Sequence, residues 1–285
     1  MPELPEVETI VRSLRNPKEW SAGGSRTLRE QPGVIGRQIS GATLLWTHTL
    51  ATPKPDEFIK QITGQVIQNV SRRGKFILIT LDEWVLLFHL RMSGDLRVED
   101  QGQPIQKHDR LIIDFTDHLR LVLNDARKFG RAWLVKDEKE VLAGLGPEPL
   151  DPTLTGVDLF KSWHRSSRAI KALLLDQGLL AGVGNIYSDE ALFQAKVHPL
   201  TPGKSLTEEN CDQLLYAVRT VLEEGIRKNG ASIDWVYRGG DFQNHFKVYQ
   251  RTGQACKICG SPIERLVIGQ RSSHFCPVCQ KAKKN

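Results

Sequence analysis

The first half of the chain alternates short apolar runs with polar breaks. Residues 66–70, 75–81, 84–90, 111–115, 119–123 and 131–135 are rich in Val, Ile, Leu, Phe and Trp and are separated by Gly, Asp, Asn or Ser, the pattern of strands. The breaks at Asp82-Glu83 and Thr116-Asp117-His118 are short enough for hairpins, which predicts a largely antiparallel sandwich or flattened barrel. Ahead of the strands, residues 5–14 place Val7, Ile10, Val11 and Leu14 on one helical face, with Glu6 and Glu8 near its start. The polar stretch 16–36, with Gly23-Gly24 and Pro32, predicts a surface loop.

Residues 144–156 hold three prolines and three glycines and predict a linker. Beyond it the period changes to that of helices, over 159–163, 169–175 and 188–193. Residues 208–229 give the strongest helical pattern. Cys211, Leu214, Leu215, Val218, Val221, Leu222 and Ile226 form one stripe, with Thr207 placed as N-cap and Gly230 beyond the end. That stripe needs other helices to cover it, so a helical second domain is expected. Cys211 lies on the stripe and reads as a buried small hydrophobe rather than a ligand or nucleophile.

A hydrophobic share of 40% with 25% charged residues is the composition of a folded protein and excludes disorder as the main theme. No stretch approaches the roughly eighteen apolar residues a membrane span needs. The start, Met1-Pro2-Glu3-Leu4-Pro5-Glu6, carries carboxylates where a signal peptide has basic residues. These features predict a soluble, cytoplasmic protein with no membrane association. The net charge of +6 is uneven, since residues 256–285 hold six basic residues against the single acid Glu264. Charge alone makes nucleic acid one of several partners.

The same basic tail contains four of the five cysteines, which disfavours a secreted disulfide framework. Cys256-x2-Cys259 and Cys276-x2-Cys279, with sixteen residues between the pairs, form two chelating knuckles that suit one tetrahedral Zn2+. An iron–sulfur centre uses the same ligands, and spacing alone also admits disulfides. Four thiolates saturate zinc and leave no position for water, so the metal is expected to be structural. Residues 263–268 and 271–275 predict a hairpin between the knuckles. Arg271, beside the Gly269-Gln270 turn and several lysines, suits a phosphate backbone.

The N-terminus has two readings. A proline at position 2 ordinarily shapes or shields the terminus. Once Met1 is removed, however, Pro2 presents a secondary amine, a far better nucleophile than the tertiary amide it forms while Met1 remains. Such an amine titrates near pH 8, so a neutral fraction exists close to neutrality.

At this point the chain resembles the bacterial formamidopyrimidine-DNA glycosylases over essentially its whole length. The matching pieces are Pro2-Glu3-Leu4-Pro5-Glu6-Val7-Glu8-Thr9, Arg72-Arg73-Gly74-Lys75-Phe76, His89-Leu90-Arg91-Met92-Ser93-Gly94, Lys107-His108-Asp109, Asp125-Ala126-Arg127-Lys128-Phe129-Gly130, Gly146-Pro147-Glu148-Pro149, Leu174-Leu175-Asp176-Gln177, the run from Gly182-Val183-Gly184-Asn185 to Leu192, His198-Pro199 and the cysteine ribbon. The resemblance implies an α+β protein of two domains. An antiparallel β-sandwich preceded by a catalytic N-terminal helix (1–145) is joined by a linker (146–156) to a helical DNA-binding domain with a helix-two-turns-helix element (157–250). A lesion-capping loop lies near 231–243, and a four-cysteine zinc ribbon (251–285) completes the chain.

The implied activity is that of a bifunctional DNA glycosylase and AP lyase, which removes 8-oxoguanine and formamidopyrimidines from double-stranded DNA in base excision repair. Pro2 is the implied nucleophile at C1′, Glu3 the acid assisting ring opening and proton transfer, and Lys75 a phosphate or sugar contact close to Pro2. Glu6 either supports the site or stabilises the helix start. Met92, Arg127 and Phe129 look like the intercalation set: Met92 fills the gap left by the extruded base, Phe129 wedges the flanking step, and Arg127 bonds to the orphan base. Arg127 and Phe129 point the same way if locally extended. His108, Lys171, Asn185 and Arg271 are implied DNA contacts, with Asn185 cradling a phosphate at a helix start. Arg72 and Arg73 read equally as solvated charge, and His198 as structural. One structural Zn2+, a monomeric state and no obligate protein partner complete the expectation.

Two other functions remain from sequence. The sister class of oxidised-pyrimidine glycosylases shares the fold, but Leu4 in place of a glycine and the Met92, Arg127, Phe129 set favour the purine branch. A zinc-containing DNA-binding protein without catalysis is disfavoured by Pro2 and Glu3. The chain departs from the family's pattern in a longer 16–36 segment, a shortened loop after Gly230, and Gln250 in place of the glycine after Val248-Tyr249.

Overall fold

A computed structural model describes residues 1–15, 32–232 and 239–282 of the chain. Most of the expected 16–36 loop and the centre of the expected 231–243 loop therefore lie outside the described residues. The chain divides into two compact units: residues 1–143 with 229–240, and residues 144–228 with 241–285.

The first unit opens with α1 (Leu4–Arg15), which buries Leu4, Val7, Ile10, Val11 and Leu14 as the apolar spacing requires. Two sheets follow. One has the order β1 (Ile39–Leu44), β7 (Asp109–Phe115), β8 (Leu119–Asp125), β6 (Gly94–Asp100). The other runs β2 (Leu50–Thr52), β9 (Arg131–Val135), β5 (Val85–His89), β4 (Phe76–Thr80), β3 (Asn69–Arg73). All pairs are antiparallel except β2 with β9. The two sheets share one apolar core with α1, built from Val7, Leu14, Ile77, Phe88, Leu96, Leu111 and Leu123 among others. Phe58 and Ile62 of the short helix α2 (Pro55–Ile62) join it. This is the β-sandwich reading rather than the barrel.

The second unit contains α4 (Gly156–Trp163), α5 (Ile170–Leu175), α6 (Asn185–Gln194) and α7 (Glu208–Arg227), a short helix α3 (Lys139–Leu142) having closed the sandwich. The α7 stripe is buried throughout, Cys211 included, and Thr207 caps it by accepting from the Asn210 N–H while Asn210 returns the bond, a reciprocal capping box. The ribbon hairpin β10 (Glu264–Ile268) and β11 (Arg271–Phe275) turns at Gly269-Gln270, both with positive φ. It packs through Ile263 and the cysteines against Phe193 of α6 and Val248.

Two boundaries differ from expectation. Residues 146–156 are not a free connector: the Gly146 N–H donates to Gln177 O at 2.9 Å and Ala181 N–H to Pro147 O at 2.9 Å. A Cβ on Gly146 would lie 2.6 Å from Gly178 O, so the glycine is there for close packing. Residues 229–240, expected within the helical domain, belong instead with the sandwich. Within that unit Glu6 Oε1 accepts the Ala231 N–H at 2.7 Å. Gly230 makes that approach possible, with φ of +76° and a would-be Cβ only 2.7 Å from the same carboxylate oxygen.

Candidate active site and nucleic-acid interface

Pro2 is buried at the head of α1, followed by Glu3 and Glu6, both nearly inaccessible at 3% and 2% exposure. Glu6 Oε2 accepts the Glu3 N–H at 2.8 Å while Oε1 holds Ala231. Glu6 therefore satisfies a main-chain donor at the helix start and holds the Ala231 N–H of the returning segment.

Lys75 sits in the turn between β3 and β4 and is also buried, 6% exposed. Its turn is tied to α1 by an ion pair that the sequence left unassigned. Arg72 Nε meets Glu8 Oε2 at 3.1 Å, and Arg72 Nη1 donates to Gly74 O at 3.0 Å. Burial would raise the Glu8 carboxyl, but Arg12 and Arg72 outweigh it and hold it below the ordinary glutamate range. Glu8 is thus a charged strut between the helix and the Lys75 turn.

Three further loops of this unit, holding Met92, His108 and Arg127–Phe129, meet at the ends of β5, β6, β7 and β8. Met92 is half-buried in the turn at residues 91–93, Arg127 and Phe129 stand exposed, and Phe129 is among the most exposed large apolar side chains, at 51%. The backbone there is not extended as alternation would need, because Lys128 has φ of 61°. Arg127 nonetheless stacks on Phe129, its guanidinium carbon 5.2 Å from the ring centroid. The pair presents an exposed apolar ring beneath an exposed cation. His108 lies on the neighbouring loop, its Nδ1 3.3 Å from Arg110 Nη2.

In the second unit the structure corrects one assignment. Lys171 is fully buried, and its Nζ bonds Asp189 Oδ1 at 2.6 Å, Ser188 Oγ at 2.7 Å and Asn185 O at 2.9 Å. A side chain so enclosed is an internal ion-pair partner and not a surface phosphate contact. Asp189 also receives Ser273 Oγ, the His274 N–H and His274 Nδ1, each at 2.9 Å. Lys171 and Asp189 consequently join the start of α6 to the strand that carries Arg271. Alongside, Glu190 accepts three successive N–H groups, from Lys247, Val248 and Tyr249. Burial pushes its carboxyl up while those three donors pull it back. Asn185 begins α6, and its buried Oδ1 has no partner among the described residues. Arg271 is exposed at the hairpin turn.

Cys256, Cys259, Cys276 and Cys279 bring their four sulfurs within 4.8 Å of one another. The Ser261 N–H and hydroxyl pull Cys259 down to about 6, whereas burial and the neighbouring sulfurs push Cys279 up to about 12. Thiols this crowded ionise together only around a cation, so the donor set fits a metal ion. Gln280, fully buried, fastens the second knuckle by accepting the Cys276 N–H and donating to Val197 O, both at 2.9 Å.

Three family descriptions match the chain: "Formamidopyrimidine-DNA glycosylase N-terminal domain" over residues 24–132, "Formamidopyrimidine-DNA glycosylase H2TH domain" over 145–236, and "Zinc finger found in FPG and IleRS" over 253–282. The formamidopyrimidine-DNA glycosylase of Chloroflexus aurantiacus is 44% identical over 98% of both chains. The chain belongs to the bacterial formamidopyrimidine-DNA glycosylase family. The glycosylase of Protochlamydia amoebophila is 39% identical over 99% of this chain and all of that one. The Lactococcus lactis enzyme, solved with DNA containing FAPY-dG, superposes with a TM-score of 0.86 at 33% identity, over 98% of this chain and 100% of that one. A MutM structure with DNA containing carbocyclic 8-oxo-G gives 0.87 at 33%, over 99% and 100%. As a family member the protein is a DNA glycosylase and AP lyase. Among the described residues no helix is long and apolar enough to cross a membrane.

Within this glycosylase, sequence reasoning missed Glu8 with Arg72, Ser93 with Asp125, and Asp189. Each is a polar residue whose partner is distant in sequence, and no local spacing marks such pairs. The Gln250 departure has a structural counterpart: its φ is 54°, the left-handed region where glycine is free of strain.

Proposed function

We propose that the protein excises oxidised purines, 8-oxoguanine and formamidopyrimidines, from duplex DNA and then cleaves the abasic strand, with Pro2 as the nucleophile. The observation that carries this reading is the buried Pro2-Glu3 head of α1, fixed by Glu6 and braced through Glu8 and Arg72 to the turn holding Lys75.

With Met1 removed, the Pro2 nitrogen attacks C1′ of the damaged nucleoside. The glycosidic bond breaks, the base leaves with a proton, and the sugar ring opens as the nitrogen forms a cationic imine with C1′. That positive charge acidifies the C2′ proton. Its removal expels the 3′ phosphate by β-elimination, a second elimination expels the 5′ phosphate, and water hydrolyses the imine to return the amine. Both Glu6 oxygens accept main-chain N–H groups, which favours Glu3 as the carboxyl that moves protons. Lys75 supplies positive charge near the sugar and phosphate.

Damaged double-stranded DNA is the proposed partner. Met92 and Phe129 fill and wedge the stack once the lesion leaves it, and Arg127 donates to O2 and N3 of the opposing cytosine. His108, Asn185 and Arg271 hold phosphates. Asn185 would donate to a phosphate oxygen through its Nδ2–H group, because its Oδ1, like the phosphate, only accepts. The four cysteines would hold one structural Zn2+, which supplies folding free energy to a hairpin too small to hold itself.

Borohydride trapping on a duplex with 8-oxoguanine opposite cytosine tests the assignment. Protein with a free Pro2 amine is expected to form a covalent adduct, and protein retaining Met1 or an N-terminal tag to bind duplex but form none. A trapped adduct with Met1 in place would defeat the Pro2 role. Faster excision of an oxidised pyrimidine opposite guanine would move the protein to the sister class.

A further inference from the structure

Asp125 is the last residue of β8, 1% exposed, and no part of the chemistry above uses it. Its side chain nevertheless gathers the loops that carry the duplex-entering residues. Oδ1 accepts the Ser93 hydroxyl and, at 3.1 Å, the Arg127 N–H; Oδ2 accepts the Gly130 N–H at 2.6 Å. Ser93 Oγ receives the same Arg127 N–H at 3.1 Å. The main chain of Asp125 adds the third loop, donating to His108 O at 2.8 Å and accepting Arg110 Nε at 2.8 Å. One residue thus ties the Met92 loop, the His108 loop and the Arg127–Phe129 turn together.

Those loops need holding. Arg91 and Lys128, which flank Met92 and Phe129, both have left-handed backbones, φ 54° and 61°. Non-glycine residues adopt that region at a cost of about 1 kcal/mol or more and keep it where surrounding bonds over-determine it. At the 126–130 turn those bonds converge on the Asp125 carboxylate, which spans both sides of Lys128 through Arg127 N–H and Gly130 N–H. Without them the turn is free to relax toward extended backbone, which carries the Arg127 guanidinium away from its seat on Phe129.

We propose that Asp125 is a positioning residue for opposite-base selectivity: through Ser93, Arg127 N–H and Gly130 N–H it sets where Arg127, Phe129 and Met92 stand, without touching DNA. This rests on the proposed role of those three side chains in the duplex. Asp125→Asn keeps size and one acceptor oxygen but replaces the other by a donor facing an N–H. Ser93→Ala removes the link to the Met92 loop and leaves two of the three main-chain and hydroxyl donors in place.

The test is single-turnover excision of 8-oxoguanine opposite cytosine and opposite adenine. It is run with the unaltered protein, Arg127→Ala, Asp125→Asn and Ser93→Ala, alongside borohydride trapping on a preformed abasic site and a thermal melt. The cytosine-over-adenine ratio is expected to fall roughly tenfold in Asp125→Asn, the loss of one charge-assisted bond, and by a smaller factor in Ser93→Ala. Trapping at the abasic site, which reports Pro2 chemistry, is expected to stay within about twofold. A merely structural role would lower all three rates together and leave the ratio intact. If Arg127→Ala abolishes selectivity while folded Asp125→Asn or Ser93→Ala retains it, the positioning role is overturned. If Arg127→Ala itself keeps the ratio, the reading of Arg127 falls first and the proposal with it. Should Asp125→Asn fail to fold, the Ser93→Ala ratio decides.

Discussion

Replacing Lys171 by methionine separates two physical roles that a lysine can have in a DNA-binding unit. The ammonium is enclosed, with no exposure, and donates to Asp189 Oδ1, Ser188 Oγ and Asn185 O at 2.6–2.9 Å. Removing one member of a buried pair typically costs about 3–5 kcal/mol because the other charge stays behind. Asp189 keeps its bonds from Ser273 and His274, so the lower end, about 3 kcal/mol, is expected. At roughly 2–4 °C per kcal/mol the thermal transition should fall by about 6–12 °C. A phosphate contact would behave differently. Each phosphate neutralised contributes about 0.9 to the slope of log affinity against log salt. Lys171→Met should therefore lower stability and leave that slope unchanged, whereas Arg271→Ala, at an exposed position, should reduce the slope by about 0.9 with little change in melting. Calorimetry and DNA binding measured across a salt series are the assays. A Lys171→Met protein of undiminished stability whose salt slope drops by about 0.9 would refute the buried-pair account.

Three further outcomes are expected. Burial, with the Arg91 and Lys75 charges nearby, lowers His89 from its ordinary 6.5 to about 3, and its neutral Nδ1 accepts the Arg91 N–H at 3.0 Å. Its contribution to stability is complete above pH 6.5 and is lost as pH falls toward 3, so urea midpoints should decline over that window and decline less steeply in His89→Gln; parallel declines would argue against it. Replacing any one of Cys256, Cys259, Cys276 or Cys279 by serine should reduce DNA affinity more than it disturbs the sandwich, read by binding and circular dichroism, and purified protein without zinc or iron but with full affinity would contradict this. Glu6→Ala removes the acceptor of two main-chain donors and should cost about 1–3 kcal/mol per donor, with Glu6→Gln intermediate; equal melting of Glu6→Ala and unaltered protein would count against that role of Glu6.

Where one sequence segment buries one face, the pattern could be read directly. The α7 stripe with its Thr207 cap and the ribbon hairpin between two Cys-x2-Cys knuckles emerged almost residue for residue, because period and ligand spacing are local quantities. β1, β2, β6, α2 and α3 escaped detection. β6 reads Gly-Asp-Leu-Arg-Val-Glu-Asp and buries only two large apolar side chains, Leu96 and Val98, while Arg97 pairs with Asp109 and Glu99 with Arg120 across the sheet. β2 has three residues, too few for any period to show. The site followed the same division. Pro2, Glu3 and the cysteines stand in compact motifs, and the exposed pair Arg127 and Phe129 was legible through resemblance, though Lys128's left-handed backbone was not. Lys171 looked like a surface cation because nothing near it in sequence announces Asp189, which stands eighteen residues further on.

The clasp of Glu6 on Ala231 also orders events in time. Its two ends are 225 residues apart, and at about 5–20 residues per second a ribosome needs roughly ten to forty-five seconds to make the chain between them. Through that interval the N-terminus exists without the segment that fastens it, and then Pro2 is buried, with Met1 still 44% exposed before it. Removal of Met1 during synthesis meets an unfastened peptide, whereas removal afterwards must act on a residue already anchored at the next position. Chain length alone thereby opens an interval in which Met1 can be removed before the Pro2 segment is fastened.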